Sequence, residues 1–95
     1  MSAAQAQTTN YALGTIALWM GPTGGSNSVL LAVTPATGAW TATANAAWLH
    51  VAVANQSGTG GAYVIFSCDA NLGATRTGTL TIAGQTLTVT QAGST

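Results

Sequence analysis

The sequence predicts an all-β protein, folded as a β-sandwich of about seven antiparallel strands. Three observations lead to this expectation. Apolar and polar residues alternate along several short stretches, which is the pattern of strands with one buried face. Gly, Pro and Asn interrupt these stretches roughly every ten residues, as turns between strands do. A glycine-centred turn joins the last two stretches into a hairpin.

The final hairpin, within residues 71–91, has the most regular alternation in the chain. A two-residue turn at Gly84 and Gln85 would place the aliphatic side chains on one face and the threonines on the other. A three-residue loop would mix the two faces, so the pattern favours the shorter turn. The facing pairs predicted by this turn are Ala83 with Thr86, Ile82 with Leu87 and Leu80 with Val89, with Thr79, Thr81, Thr88 and Thr90 on the opposite surface.

Five more strands are predicted upstream of this hairpin. In the first of them, Ile16 and Leu18 are expected on one face and Trp19 on the other. The alternation changes phase near Trp48, which predicts a bulge or corner there. Residues 55–61 are polar and rich in glycine, which is typical of an exposed loop. The five predicted strands cover residues 15–20, 27–34, 39–44, 48–53 and 62–68.

The chain has 95 residues and a mass of 9.3 kDa, which is enough for one domain with one modest core. Residues 1–10 are small and polar, so they are predicted to be a flexible N-terminal segment, and residues 11–95 a single β-sandwich domain. The N-terminal stretch lacks the basic end and apolar run of a signal peptide. No apolar run approaches the length of a transmembrane helix, so no membrane span is expected.

Formal charge is almost absent. Arg76 and Asp69 are the only charged side chains, and His50 is the only other group that titrates near neutral pH. One cation cannot neutralise the phosphates of a nucleic acid or the surface of an anionic membrane, so neither is expected as a partner. An uncharged surface with no Lys to guard its strand edges makes homo-association a possible alternative.

The sequence offers no convincing catalytic or metal site. Ser67, His50 and Asp69 are the residue types of a hydrolytic triad, but Ser67 and Asp69 lie two apart on one strand without a nucleophile elbow. Glycoside hydrolysis normally needs two carboxylates, and the chain has one. His50, Cys68 and Asp69 lack the number and spacing of metal ligands. The protein is therefore predicted not to be an enzyme, and no cofactor or metal is expected.

Several residues are assigned structural roles. Cys68 has no partner for a disulfide and is predicted to be a small buried hydrophobe. Asp69 and Arg76 flank the connection into the final hairpin, which suggests an ion pair that staples the two ends of the loop. The alternative is that Arg76 grips an acidic ligand. Asn71 and Gly73 are predicted to shape the turn between them.

Two stretches carry a family resemblance. Residues 40–49 read WTATANAAWL, and residues 71–93 read NLGATRTGTLTIAGQTLTVTQAG after an intervening glycine-rich loop and strand. The paired tryptophans and the Asn-x-Gly-x-x-Arg-x-Gly pattern resemble the BACON family, whose name stands for Bacteroidetes-associated carbohydrate-binding, often N-terminal. The resemblance covers about residues 27–93 and is weak over residues 1–26.

Members of that family resemble immunoglobulin-like β-sandwiches. They often occur in repeats beside secreted or surface-attached glycoside hydrolases and proteases, and they also occur in phage proteins. The resemblance therefore implies a non-catalytic module at an extracellular or cell-surface location, acting as a spacer or adhesion unit of a larger protein. Carbohydrate binding is the alternative that the family name suggests. That part of the name was inferred from the neighbouring domains, and a spacer role fits such modules equally well. The implied partners are glycans or neighbouring domains of the same protein.

The aromatic residues decide between these functions. Trp40 and Trp48 belong to the family-like motif and are expected in the core or at a corner, where each contributes several kcal/mol of stability. The candidates for a sugar platform are Trp19, Tyr63 and Tyr11, because flat aromatic faces stack on sugar rings, and Gln56 could add hydrogen bonds. If Leu30, Ile65, Tyr63 and Trp19 are exposed together, they would instead form an apolar patch suited to self-assembly into filaments or coats.

Overall fold

The computed structural model describes residues 9–95, which contain nine β-strands and one short 3-10 turn. Most of the flexible segment predicted at residues 1–10 lies outside the described residues, and Asn10 already belongs to the first strand. The strands are β1 (Asn10–Leu13), β2 (Ala17–Met20), β3 (Gly25–Thr34), β4 (Ala39–Ala44), β5 (Leu49–Val51), β6 (Ser57–Thr59), β7 (Ala62–Cys68), β8 (Arg76–Ile82) and β9 (Gln85–Gln91).

The strands form two sheets that pack face to face. The four-stranded sheet has the order β1-β3-β7-β5, and the five-stranded sheet has the order β2-β9-β8-β4-β6. The first order corresponds to strands A-B-E-D of an immunoglobulin-like sandwich, and β4, β8 and β9 correspond to its strands C, F and G. The short edge strand β6 is an addition to that plan. The predicted all-β sandwich is confirmed, with nine strands among the described residues where about seven were expected.

The core lies between the sheets and takes every second residue of the long strands. Trp40 on β4 is buried in it, and its indole Nε1 donates to the Gly60 carbonyl at 2.8 Å. A Cβ at Gly58 would lie 2.6 Å from the Trp40 ring, so glycine leaves room for the indole. The buried apolar residues are Val29, Leu31, Val33, Trp40, Ala42, Leu49, Val51, Val64, Phe66, Cys68, Leu80, Ile82, Leu87 and Val89.

The N-terminal edge differs from the single strand predicted at residues 15–20. The chain forms β1 antiparallel to β3, crosses to the other sheet, and then forms β2 parallel to β9. Ile16 lies in the crossover and is 69% exposed, whereas Leu18 packs against the core. The predicted shared face of Ile16 and Leu18 is therefore wrong, because strand alternation does not continue through the crossover.

The middle of the chain follows the predicted strands more closely. β4 and β7 have the predicted bounds, and β3 begins at Gly25, two residues earlier than expected. The strand predicted at residues 48–53 is shortened to β5, because a turn closed by the Leu49 N–H and the Ala46 carbonyl (3.1 Å) precedes it. That turn is the corner expected near Trp48. The loop predicted at residues 55–61 contains the edge strand β6, which pairs with β4.

The turn of the final hairpin lies one residue earlier than predicted. Ala83 and Gly84 are its two central residues, with φ angles of 51° and 76°, and Ile82 pairs with Gln85. Positive φ at both central residues defines a type I′ turn, whose twist matches that of the flanking strands. The strand twist thus selects this turn even though its first central residue is alanine.

The hairpin register is shifted accordingly. The predicted pairs of Ile82 with Leu87 and Leu80 with Val89 are wrong, since Leu80 pairs with Leu87 and Gly78 with Val89. Every pair moves by two positions, which is one full period of a strand. Each side chain therefore keeps its predicted face, and the four aliphatic residues all lie in the core at 0% exposure.

The left-handed conformation of Ala83 can be tested by mutation. We expect Ala83→Asn to raise the free energy of unfolding by about 1 kcal/mol, because asparagine tolerates positive φ better than alanine. The matched change Gly84→Ala should lower it by about 1 kcal/mol, since it adds a Cβ at positive φ. Urea unfolding monitored by tryptophan fluorescence measures both. A destabilised Ala83→Asn variant would contradict the type I′ assignment.

Candidate functional site

The structure does not unite the four residues predicted to bind a ligand. Trp19 is 70% exposed on the outer face of the five-stranded sheet, and Tyr63 is 64% exposed on the outer face of the four-stranded sheet. The whole thickness of the sandwich separates these two aromatic side chains. A single site built on both of them is therefore impossible, and each face has to be considered separately.

Tyr11 and Gln56 are engaged with the protein itself. Tyr11 pairs with the buried Val33, packs against the core and donates its hydroxyl to the Ala39 carbonyl at 2.5 Å. The Gln56 amide donates to the Val51 carbonyl at 3.4 Å. The Tyr11 side chain therefore links β1 to β4, which belong to different sheets, and its hydroxyl is not free to bind a ligand.

Two open grooves flank these residues. One has a volume of about 570 Å³ and is lined by Tyr11, Ala39, Trp40, Thr41, Ser57, Gly58, Thr59, Ala83 and Gly84. The other, of about 770 Å³, runs along the gap between β4 and β5 and is lined by Thr41, Ala42, Thr43, Ala44, Leu49, His50, Val51 and Gln56. Neither contains a charged Arg or Asp side chain, and each is open to solvent along its length.

The apolar patch predicted for self-assembly is only partly present. Leu30 pairs with Tyr63, and Ile65 lies one step along the same outer face, so these three exposed side chains are neighbours. Trp19 lies on the other sheet and does not join them. The prediction that all four residues share one patch is therefore wrong for Trp19, because the chain crosses to the other sheet before β2.

The outer face of the five-stranded sheet is covered by hydroxyl groups. We call it the threonine face, and Trp19 and Asn45 lie at its margins. The Asn45 amide donates to the hydroxyls of Thr79 and Thr81 at 3.0 and 2.9 Å. The outward threonines of its three central strands are Thr41, Thr43, Thr77, Thr79, Thr81, Thr86, Thr88 and Thr90.

The candidate triad residues are neighbours on the opposite sheet. His50 pairs with Ser67 across β5 and β7, and its Nε2 lies 3.0 Å from Asp69 Oδ1. Both of these side chains are more than half exposed, at 52% and 61%. Among the described hydrogen bonds, none joins the Ser67 hydroxyl to His50. The carboxylate therefore contacts one ring nitrogen of His50, as in a triad, but no described hydrogen bond brings a serine to the other ring nitrogen, which would have to act as the base.

Arg76 does not form the predicted ion pair with Asp69. Its Nη2 donates to the backbone carbonyls of Asp69 and Ala70 at 3.2 and 3.3 Å, while the Asp69 carboxylate turns to His50. Its Nε donates to Gln91 Oε1 at 2.9 Å. The guanidinium still holds the loop after β7, but it does so through backbone carbonyls.

Trp48 completes this cluster. The Arg76 guanidinium lies over the Trp48 ring, 4.4 Å from its centroid, and a Cβ at Gly78 would lie 2.8 Å from the same ring. Arg76 and Gly78 are two apart on β8 and face the same way, so one supplies a cation to the indole and the other leaves space for it. This is the physical reason for the Arg-x-Gly spacing in the sequence.

Gln91 is the residue of this cluster that the sequence analysis missed. It is completely buried, and its amide nitrogen donates to the carbonyls of Gly21 and Asp69 at 3.2 and 2.7 Å. The alternation of β9 carries the signal, since Gln91 continues the inward series of Leu87 and Val89. A polar residue at an inward position of a strand predicts a buried hydrogen-bonding centre.

Two neighbours of Gln91 have the expected character. Cys68 is buried, and burial raises the pKa of its thiol, which accepts a contact from the Gln91 amide at 3.4 Å. Asn71 is also buried; its Oδ1 accepts from the Gly73 N–H at 3.1 Å and its amide donates to the Ala74 carbonyl at 2.7 Å. Asn71 therefore organises the loop that leads into β8.

Neither a cluster of metal ligands nor a membrane-spanning helix occurs among the described residues. Between residues 9 and 95, no three side chains of His, Cys, Asp or Glu are close enough to hold a metal ion. Within the same range, no helix has the length and apolarity needed to cross a bilayer.

The fold is an immunoglobulin-like β-sandwich in which β8 places Arg76 and Gly78 against the ring of Trp48. The model of the BACON family, described as "Putative binding domain, N-terminal", matches residues 38–92. That segment includes β4 through β9, and it contains more than half of the chain. The chain therefore belongs to the BACON family.

One solved structure is similar over most of the chain. It is a Bacteroides ovatus GH5 xyloglucanase in complex with a XXXG heptasaccharide, and the two share 21% identity with a TM-score of 0.74. The similarity covers 90% of this chain but only 19% of the xyloglucanase chain. At this identity the likeness concerns the fold alone. No curated protein matches this chain in sequence.

The Arg76 cluster makes a prediction that the ion-pair hypothesis does not. We expect Arg76→Ala to lower the free energy of unfolding by about 2–3 kcal/mol, because it leaves the buried Gln91 oxygen without a donor and removes the cation from Trp48. Asp69→Asn should change it by less than about 0.5 kcal/mol, since the His50–Asp69 pair is exposed. Thermal and urea unfolding of both variants measure the difference. Equal losses in the two variants would restore the ion-pair hypothesis.

Proposed function

We propose that this chain is a non-catalytic, immunoglobulin-like module of an extracellular or cell-surface protein, where it acts as a spacer or adhesion unit. The observation that carries the proposal is the position of the first and last strands. β1 begins at one end of the sandwich, where Asn10 pairs with Thr34, and β9 ends at the other, where Gln91 pairs with Arg76 and Met20. Segments attached at these two points are held apart by the length of the domain.

The length of β3 estimates this separation. β3 has ten residues and runs from Thr34, at the start of β1, to Gly25, which pairs with Cys68 near Gln91. At roughly 3.3 Å per residue the ends lie about 30 Å apart. The exit point is held by the Gln91 hydrogen bonds and the entry point by the Tyr11 hydroxyl. Such anchored ends suit a domain that sets a distance or transmits tension.

The family supports the role of a non-catalytic module within a larger protein. It is described as a binding domain, and a domain of the same fold occupies a small part of a much longer xyloglucanase. The non-catalytic assignment also rests on the site chemistry, because the His50–Asp69 pair lies on an open surface without a hydrogen bond from Ser67 among the described residues. The family resemblance is the support for the proposed extracellular location.

The spacer proposal predicts a fixed end-to-end distance. We expect double electron–electron resonance between spin labels at Asn10→Cys and Ser94→Cys to give a narrow distance distribution. Once the length of the label side chains is allowed for, its centre should lie at about 30 Å. Cys68 can stay in place, because it is buried and the pKa of its thiol is raised.

The same doubly labelled protein in urea provides the control, since an unfolded chain gives a broad distribution. A folded protein whose labels lie within about 15 Å of each other, or whose distribution is as broad as in urea, would contradict a spacer whose strands enter and leave at opposite ends.

A second candidate function is glycan binding, alone or together with the spacer role. The observation that favours it is Trp19, which presents a 70% exposed indole beside the threonine face. Sugar rings offer apolar faces to aromatic side chains and hydroxyls to polar groups. Affinity electrophoresis in gels containing neutral polysaccharides tests this candidate. Migration that no polysaccharide retards would rule it out and leave the spacer proposal standing.

A further inference from the structure

We propose that the threonine face, with Trp19 at its margin, is the surface on which this protein binds a single chain of a neutral polysaccharide. This inference rests on the second candidate function, glycan binding, and assigns it a surface, a ligand class and an anchoring residue. It excludes the two grooves and the opposite sheet as the primary site.

The threonine face is a regular array. Cross-strand pairing forms one row of Thr86, Thr81 and Thr43, a second of Thr88, Thr79 and Asn45, and a third of Trp19, Thr90 and Thr77. Neighbouring strands lie about 4.8 Å apart, and successive outward residues of one strand about 6.7 Å apart. Hydroxyl groups therefore recur across the face at regular intervals of about 5–7 Å, so several of them can contact successive sugar units of one chain.

Two of these hydroxyls are already oriented by the protein. The Asn45 amide donates to both Thr79 and Thr81, so the oxygen of each hydroxyl accepts a hydrogen bond from within the sheet. Their O–H protons remain free to donate outward. Orienting donors before the ligand arrives lowers the entropy lost on binding.

The charge of the face selects the ligand. The three rows contain no Arg, Asp or His. Arg76 faces inward against Trp48 and Gln91, and Asp69 pairs with His50 on the other sheet. An anionic glycan would lose hydration without gaining a cation, whereas a neutral chain needs only hydroxyl partners and an aromatic surface.

The other exposed aromatic residue is less suited to this role. Tyr63 is nearly as exposed as Trp19, but its neighbours Leu30 and Ile65 are apolar and offer no hydroxyls. In the first groove, the Trp40 nitrogen and the Tyr11 hydroxyl already donate to backbone carbonyls. Among the described aromatic residues, Trp19 alone has an exposed ring beside an array of hydroxyl groups that can donate and accept hydrogen bonds.

Sheet geometry also limits the form of the ligand. Adjacent strands are rotated by about 20–25° relative to each other, so the rows do not lie in one plane. A flexible single chain can follow that twist, whereas a flat crystalline surface cannot touch all the rows at once. We therefore expect binding to soluble polysaccharide and weaker binding to crystalline cellulose.

The test compares two exposed aromatic residues on opposite sheets, Trp19 and Tyr63. In affinity electrophoresis with soluble xyloglucan, galactomannan and glucomannan, we expect at least one polysaccharide to retard the protein. Trp19→Ala should weaken that binding by about 10-fold or more, because the aromatic contact is lost. The matched control Tyr63→Ala should leave it unchanged. Both side chains are exposed, so thermal unfolding should show both variants folded.

A milder variant probes the hydroxyls. Thr81→Val keeps the shape of the side chain but removes one oriented hydroxyl, and we expect about 3- to 10-fold weaker binding. Tryptophan fluorescence gives a second readout, because Trp40 is buried and Trp19 is exposed. A bound sugar should shift the emission of the wild type to shorter wavelength and leave that of Trp19→Ala unshifted.

Each contrary result has a distinct meaning. Binding that survives Trp19→Ala but is lost in Tyr63→Ala would overturn this surface and keep glycan binding. Equal or tighter binding to polygalacturonate would overturn the choice of a neutral ligand. Crystalline cellulose bound as tightly as the soluble chains would overturn the single-chain ligand. Absence of binding to every polysaccharide would overturn both this inference and the second candidate function, while the spin-label distance would still decide the spacer proposal.

Discussion

The alternation of inward and outward side chains along β8 and β9 is the constraint on which the rest of the fold depends. Leu80, Ile82, Leu87 and Val89 are all fully buried, and each contributes about 1.5–3 kcal/mol relative to an exposed side chain. The described part of the chain contains one cysteine and no metal cluster, so apolar packing carries most of its stability. The same period of two that buries the aliphatic residues places the threonines on the outer face.

The small number of charged groups gives each of them a clear role. The only arginine of the chain is used inside the protein, where it joins β8, β9 and the loop after β7 through Gln91 and backbone carbonyls. The only aspartate is on the surface with His50. The outer face of the five-stranded sheet is therefore neutral, and hydrogen bonding and aromatic contact are the interactions it can offer. This neutrality connects the architecture to the proposed choice of ligand.

Features set by a local pattern were predicted correctly, whereas features set by the meeting of two segments were not. The bounds of β4 and β7 follow from alternation and turn residues, and both were predicted correctly. The hairpin register was wrong by two positions, because alternation cannot distinguish registers that differ by a full period. The predicted ion pair between Arg76 and Asp69 was wrong. Opposite charges close in sequence suggest a contact, but packing places Gln91, Trp48 and two backbone carbonyls around the guanidinium instead.

By itself, the sequence determined the all-β class, the inward rows of aliphatic residues and the near absence of charge, because these depend on residue type and a period of two. Only the tertiary structure decided that the chain crosses between sheets after β1, which places Trp19 and Tyr63 on opposite faces and Trp19 beside the threonines. Strand order and sheet assignment are set by contacts between segments distant in sequence. One amino-acid sequence contains no local pattern that specifies those contacts.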